Sequence, residues 1–280
     1  MRPAPRLFGI SATAADRVAV LRRGPSNWTH VGLWDVASPR FHSGAWLSGT
    51  LYPQRCDVSP DGRYLCYFAL NGGTRWKAGD TYIAVSRLPW LTALVAWGTQ
   101  GTYSRGAYFV DDPSRHELGK PDEGAVGRLR NEYGLVFPSG PVTFAVERRR
   151  GWTETPDSVP RTDTWDERRA DTVRVGRPRP GRRGNMWLVV GGGYAAFRAG
   201  GLKRYRPPAY ELRDGPDGPV LTQLDDVQWA DWARDGRLLV ATTDGRLQIR
   251  DGSTGAVRWE HDLAGLRPAP EPPPPEARHW

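Results

Sequence analysis

Two short stretches oblige this chain to reverse direction. In Ser59-Pro60-Asp61-Gly62-Arg63, proline fixes one backbone angle of a turn and the Asp-Gly pair closes it, between the run Cys56 to Val58 and the apolar run Tyr64 to Leu70. This predicts a β-hairpin. Near the other end, Arg234-Asp235-Gly236-Arg237 repeats the pattern and joins Val227 to Trp232 with Leu238 to Thr242. A degenerate third copy starts with Phe8 to Ser11, turns through small residues and Asp16-Arg17, and continues as Val18 to Leu21.

A second kind of turn follows each hairpin and gives a measure of spacing. Its openings fall at Asp35, Ser86, Phe137, Asp214 and Asp251, at intervals of 51, 51, 77 and 37 residues. Two positions before each opening stands an apolar or small residue, Leu33, Ala84, Leu135, Leu212 and Ile249, and four of the five are expected to face a core. Two strands before each turn and two around it make a four-stranded unit. Five such units amount to about 20 strands, with a period near that of a propeller blade.

These residues resemble a known architecture. A Ser-Pro-Asp-Gly-Arg turn, an apolar strand, an Asp-Gly-Arg-Leu step and a strand ending in the Asp251-Gly-Ser-Thr-Gly255 turn are similar to blades of WD-repeat, TolB-like and quinoprotein-like β-propellers. The match is good over residues 227–263 and fair over 55–98. It departs from the WD-repeat pattern in lacking a Gly-His before the first strand, and a Trp-Asp closes the third strand only at Trp34-Asp35. The resemblance implies an all-β propeller of about five four-stranded blades over residues 1–265. Six blades, or a two-sheet β-sandwich, are the alternatives. The 13 tryptophans suit this reading, because large flat side chains fill the wedge between blades, and Trp34, Trp46, Trp97, Trp229, Trp232 and Trp259 fall on predicted strands.

The interval of 77 marks an insertion. Residues 148–184 mix both charge signs with Pro, Thr and Gly and keep no apolar period, so a long solvated loop is expected. Trp152 and Trp165 lie in it, and either pin it to the body or contact a partner. Gly176 to Arg183 resembles an AT-hook, a Gly-Arg-Pro core whose arginines can enter a narrow minor groove, but the flanking order differs and it occurs once. Trp152, Trp165, Arg177, Arg179, Arg182 and Arg183 are accordingly the partner-binding candidates. A protein is the expected partner, with nucleic acid disfavoured. Arg148, Arg149 and Arg150 read as a solvated edge following a strand. Six prolines between Pro268 and Pro275 make residues 266–280 an extended, flexible tail.

The formal charge of +8 comes almost wholly from arginine, since Lys77, Lys120 and Lys203 are the only lysines. Such a bias follows more readily from a GC-rich genome than from selection for phosphate binding. Cys56 and Cys66, the two cysteines, flank one turn; two buried thiols are favoured over a cross-strand disulfide. The first residues show no continuous apolar run after their positive charges, and no apolar stretch is long enough to span a membrane, so a cytoplasmic protein is expected.

Catalytic chemistry is not written locally. The five histidines form no spaced ligand pair, and nucleophile elbows, phosphate loops and dinucleotide fingerprints are missing. Gly191-Gly192-Gly193 leads toward another predicted strand, and therefore reads as a turn. No catalytic residue, metal ligand or cofactor is assigned. The sequence favours a non-catalytic propeller acting as a protein-interaction scaffold. The alternative is a propeller enzyme, or a sugar- or small-ligand-binding module, using the mouth of the central channel.

Overall fold

The computed structural model describes residues 4–24, 27–71, 78–110, 125–129, 134–137, 143–159, 173–181, 184–192 and 208–280. Within them the chain is built mainly of β-strands, in sheets that run mostly strand to next strand, and it divides into two compact units.

One unit comprises residues 8–142 with residues 266–280. Its first sheet has the order β1 (Arg6–Ser11), β2 (Arg17–Arg23), β3 (Trp28–Asp35), β4 (Arg40–Ser48). Its second is built on β7 (Tyr64–Leu70), β8 (Thr81–Arg87) and β9 (Ala93–Gly98), with β5 (Thr50–Leu51) and β6 (Asp57–Val58) both pairing with β7. β10 (Tyr108–Val110) pairs with β12 (Gly134–Val136), and β11 (Ala125–Gly127) extends the second sheet beyond β9.

Alternation on the second sheet produces the core. Cys66 faces Val85, which faces Val95, and Phe68 faces Ile83, which faces Trp97, so two cross-strand rows bury one side of the sheet. Each such side chain contributes roughly 1.5–3 kcal/mol by leaving water. Asp57 is buried beside them, and its carboxylate accepts a 2.9 Å hydrogen bond from the Phe109 amide. The two cysteines are free and fully buried, and burial pushes the Cys56 thiol up to about 12 and the Cys66 thiol well up.

The other unit comprises residues 1–7 with residues 143–265. It opens with one helical turn, α1 (Ala145–Arg148), and contains a five-stranded sheet and a four-stranded one. The five-stranded sheet runs β13 (Thr153–Glu154), β14 (Arg174–Pro178), β15 (Met186–Gly191), β16 (Ala209–Asp214), β17 (Val220–Gln223), and the four-stranded sheet runs β18 (Val227–Trp232), β19 (Leu238–Thr242), β20 (Arg246–Arg250), β21 (Val257–Asp262).

Two sequence expectations change here. The run up to Glu147 was expected as a strand; instead Phe144 adopts a left-handed backbone (φ 52°) and residues 145–148 close a helical turn, so the three arginines follow a helix. Part of the expected solvated loop is sheet, because β13 and β14 pair with each other and β14 pairs with β15 along five residues.

The two Asp-Gly-Arg turns have matching geometry. Gly62 and Gly236 take positive φ, 70° and 80°, which suits glycine. In each, the preceding aspartate accepts the amide of the following arginine at 3.0 Å and pairs with its guanidinium. Ser59 adds its own hydroxyl, which accepts from the Tyr64 amide at 2.9 Å.

Turns of successive sheets also touch within each unit. The Ala14 amide, between β1 and β2, donates to Pro60 O at 2.8 Å, and Arg179, following β14, donates from Nε to Gly236 O at 2.7 Å. A methyl group at Gly62 would lie 2.8 Å from Arg17 Cβ, and one at Gly236 would lie 2.8 Å from Pro180 O. We expect Gly62→Ala and Gly236→Ala each to lose about 1–3 kcal/mol, read from urea unfolding, since left-handed backbone and close approach both oppose the methyl.

Burial falls across each four-stranded sheet. β2 and β3, and likewise β18, β19 and β20, are largely buried, whereas β4 is half-buried to exposed and β21 is mostly exposed, as is β17 at the end of the five-stranded sheet. β9 keeps a buried centre because β11 covers its edge. Of the five spacing residues, Ala84, Leu135, Leu212 and Ile249 are buried and Leu33 is half-buried.

Candidate interaction surface

Three of the partner-binding candidates, Trp152, Arg177 and Arg179, lie in the described residues; Trp165, Arg182 and Arg183 lie outside them. Trp152 follows α1, and its amide donates to Glu147 O at 3.2 Å, which holds the indole inward with 3% of the residue exposed.

Strand alternation sets the place of Arg177. On β14, Val175 and Arg177 share one face while Gly176 and Pro178 take the other, and Val175 is fully buried. Arg177 is thereby directed toward β18, where its guanidinium forms a 2.8 Å ion pair with Asp231 and donates to Trp232 O at 2.5 Å. It also donates to Arg150 O at 3.4 Å and sits 5.9 Å from the centre of the Trp152 ring. One planar fork thus joins the α1 end, β14 and β18.

Arg179 has a similar role just beyond the end of β14. Its Nε donates to Gly236 O at 2.7 Å, another nitrogen donates to Ser253 Oγ at 2.7 Å, and the guanidinium lies 5.6 Å over the Trp232 ring. Arginine in an AT-hook must be free to enter a groove. These two are engaged within the chain. Arg177→Lys will cost about 2 kcal/mol in urea unfolding, because a single ammonium cannot reach the acceptors on both β18 and the end of α1. A loss below about 0.5 kcal/mol would show that the fork is not needed.

A second network was missed by the sequence reading. Arg213, with 7% of its side chain exposed, pairs with Glu211 at 2.5 Å and with Asp157 at 2.9 Å, while Arg174 reaches the same Glu211 oxygen at 3.1 Å. Gln223 donates to the other Glu211 oxygen at 2.9 Å, which ties β17 to β16. The hydrogen bond from Arg213 holds the Asp157 carboxyl down at about 2. The available signal was the i, i+2 spacing of Glu211 and Arg213, which places both on one face of a strand.

The outer strands β17 and β21 leave apolar side chains open to solvent. On β17, Val220 and Leu221 are 44% and 53% exposed, and Val257 on β21 is 50% exposed. Among the described residues no group of three or more His, Cys, Asp or Glu side chains is placed to hold a metal ion, and no helix is long and apolar enough to cross a membrane.

No family model matches the sequence, and no curated protein does. Solved structures with some likeness include an uncharacterised protein from Listeria monocytogenes, at 9% identity and a TM-score of 0.29 over 94% of this chain and 84% of that one. The WD40 β-propeller domain of Doa1 gives 12%, 0.25, 94% and 74% for the same measures. The β-propeller domain of Cps50 (Swd1) from Myceliophteria thermophila gives 13%, 0.30, 95% and 89%. Superpositions this loose transfer neither a blade number nor an activity.

Proposed function

We propose that this chain is a non-catalytic β-propeller scaffold, cytoplasmic, whose repeated sheets hold a surface for a protein partner. The observation that supports it is how the buried charges of the 143–265 unit are used. Asp231 and Glu211 are each paired with arginine, and Arg177, Arg179 and Arg213 each bridge separate segments. Side chains so committed stiffen a framework instead of moving protons, and stiffness is what a presenting surface requires.

In this reading the partner contact falls to Trp165, Arg182 and Arg183, while Trp152, Arg177 and Arg179 stiffen the adjoining framework. Removing all of 148–184 would delete β13 and β14 and is the wrong test. The triple variant Trp165→Ala, Arg182→Ala, Arg183→Ala is the appropriate one. Affinity capture from native lysate should retain a discrete protein on the unaltered chain and lose it on the variant, with nuclease treatment making no difference. Identical captured sets would defeat the loop as the contact, and capture abolished by nuclease would turn the reading toward nucleic acid.

A further inference from the structure

Residues 266–280, expected to lie apart as a flexible tail, belong to the 8–142 unit. Arg22 on β2 donates to Leu266 O at 3.2 Å, and further attachment lies at the end of the segment. Pro275–Arg278 form a 3-10 turn in which Ala277 is fully buried, and Arg87 on β8 donates to Glu276 O at 3.4 Å. Trp280 packs partly buried against the core of the second sheet, its ring 5.3 Å from that of Tyr64 on β7. Arg63 and Arg87 lie 5.6 and 5.8 Å from the centre of the same tyrosine ring. By contrast Arg267, Ala269, Pro270, Glu271 and Pro272 are exposed.

A proline-rich leader exposed over residues 269–272, followed by one small and one aromatic anchor, has the form of a peptide bound in a site. Proline keeps the leader extended without internal hydrogen bonds, so little order is lost when the anchors seat. The receiving face offers an aromatic ring flanked by two guanidinium groups. Chain continuity gives the resident segment a high local concentration, which is all that favours it over a free peptide of the same chemistry.

We propose that the Tyr64–Arg87 face of β7 and β8 is a peptide-docking site closed in cis by residues 275–280. The occupant it takes in trans is a proline-rich segment with a tryptophan anchor. The site shares no residue with the 152–183 candidates, so its failure would leave the scaffold reading standing.

The test uses the full chain carrying a protease site in the exposed stretch 269–272, cut after folding, and a fluorescent peptide of residues 268–280. After cleavage the labelled peptide should exchange into the site and bind at least tenfold tighter than it binds the uncut chain. A peptide with Trp280→Ala should fail to compete. In the uncut chain, Trp280→Ala should raise labelled-peptide binding toward the cleaved level, and Arg87→Ala should weaken it in either form. Three results would overturn the proposal: a cleaved, still folded chain that neither releases its strap nor takes up peptide, equal binding by cut and uncut chains, or equal competition by the Trp280→Ala peptide. If the cut chain loses its circular dichroism signal, the uncut Trp280→Ala variant decides alone, and no gain in binding there rejects the site. A dimer dispersed by added peptide would support it as a strap exchanged between copies.

Discussion

Trp232→Ala will lower the stability of this protein by about 3–5 kcal/mol, the range for removing a large aromatic side chain from a packed interior. Trp232 is 2% exposed at the end of β18, and the Arg179 guanidinium lies over its ring. Removing the indole therefore opens a cavity and leaves that arginine without its platform. Urea unfolding followed by circular dichroism measures the loss. Trp259→Ala, at a half-buried residue of the exposed outer strand β21, provides the comparison and should cost about 1 kcal/mol or less. Among the described residues no hydrogen-bond partner reaches the buried Trp232 Nε1, so Trp232→Phe keeps most of the packing and should cost far less than alanine. Equal losses for the Trp232 and Trp259 alanine variants would refute the packing role.

Acid will destabilise the fold through His30. Its ring is fully buried on β3, 4.7 Å from Trp46 and 6.1 Å from Phe41, and Nε2 accepts from the Gly44 amide at 3.3 Å while lying 2.9 Å from Ser43 Oγ. Burial, and then the charge of its cross-strand partner Arg22, bring its pKa down from 6.5 to about 4. The unfolded chain consequently takes up a proton that the folded one refuses. The stabilisation is complete above pH 6.5 and is lost as pH falls toward 4, amounting to about 3 kcal/mol across that window. Urea midpoints at pH 7 and pH 4.5 should show His30→Gln losing about 2–3 kcal/mol less than the unaltered chain. The same acid loss in both would show that other groups carry it.

How much could be read in advance depended on whether the cause of an element was local. Pro60, Asp61 and Gly62 specify their turn without outside help, and β7 has the bounds expected for it, Tyr64 to Leu70. β18 and β19, joined by the other Asp-Gly turn, also have their expected bounds. β14 was hidden because Arg174-Val175-Gly176-Arg177-Pro178 has too much charge and proline to show a strand period. Its arginines find acceptors at Glu211, Asp231 and Trp232, far along the chain, and no local window contains those. The helical turn at 145–148 follows from the left-handed Phe144, which nothing in the run of apolar residues announces. Ala277 and Trp280 read as tail for the same reason, since what holds the segment is a 3-10 turn and a tyrosine more than 200 positions earlier.

The decline in burial from inner to outer strands determines the order in which regions of the fold give way. Backbone amides of β19 and β20 sit between paired neighbours, whereas β21 has one neighbour and faces solvent, and β17 is placed in the same way. Deuterium should enter those outer strands first, through fraying that leaves the rest of each sheet intact, and reach the inner ones only when a whole unit opens. Each four-stranded sheet is thus a graded clock, with its slowest hand on the buried inner strands.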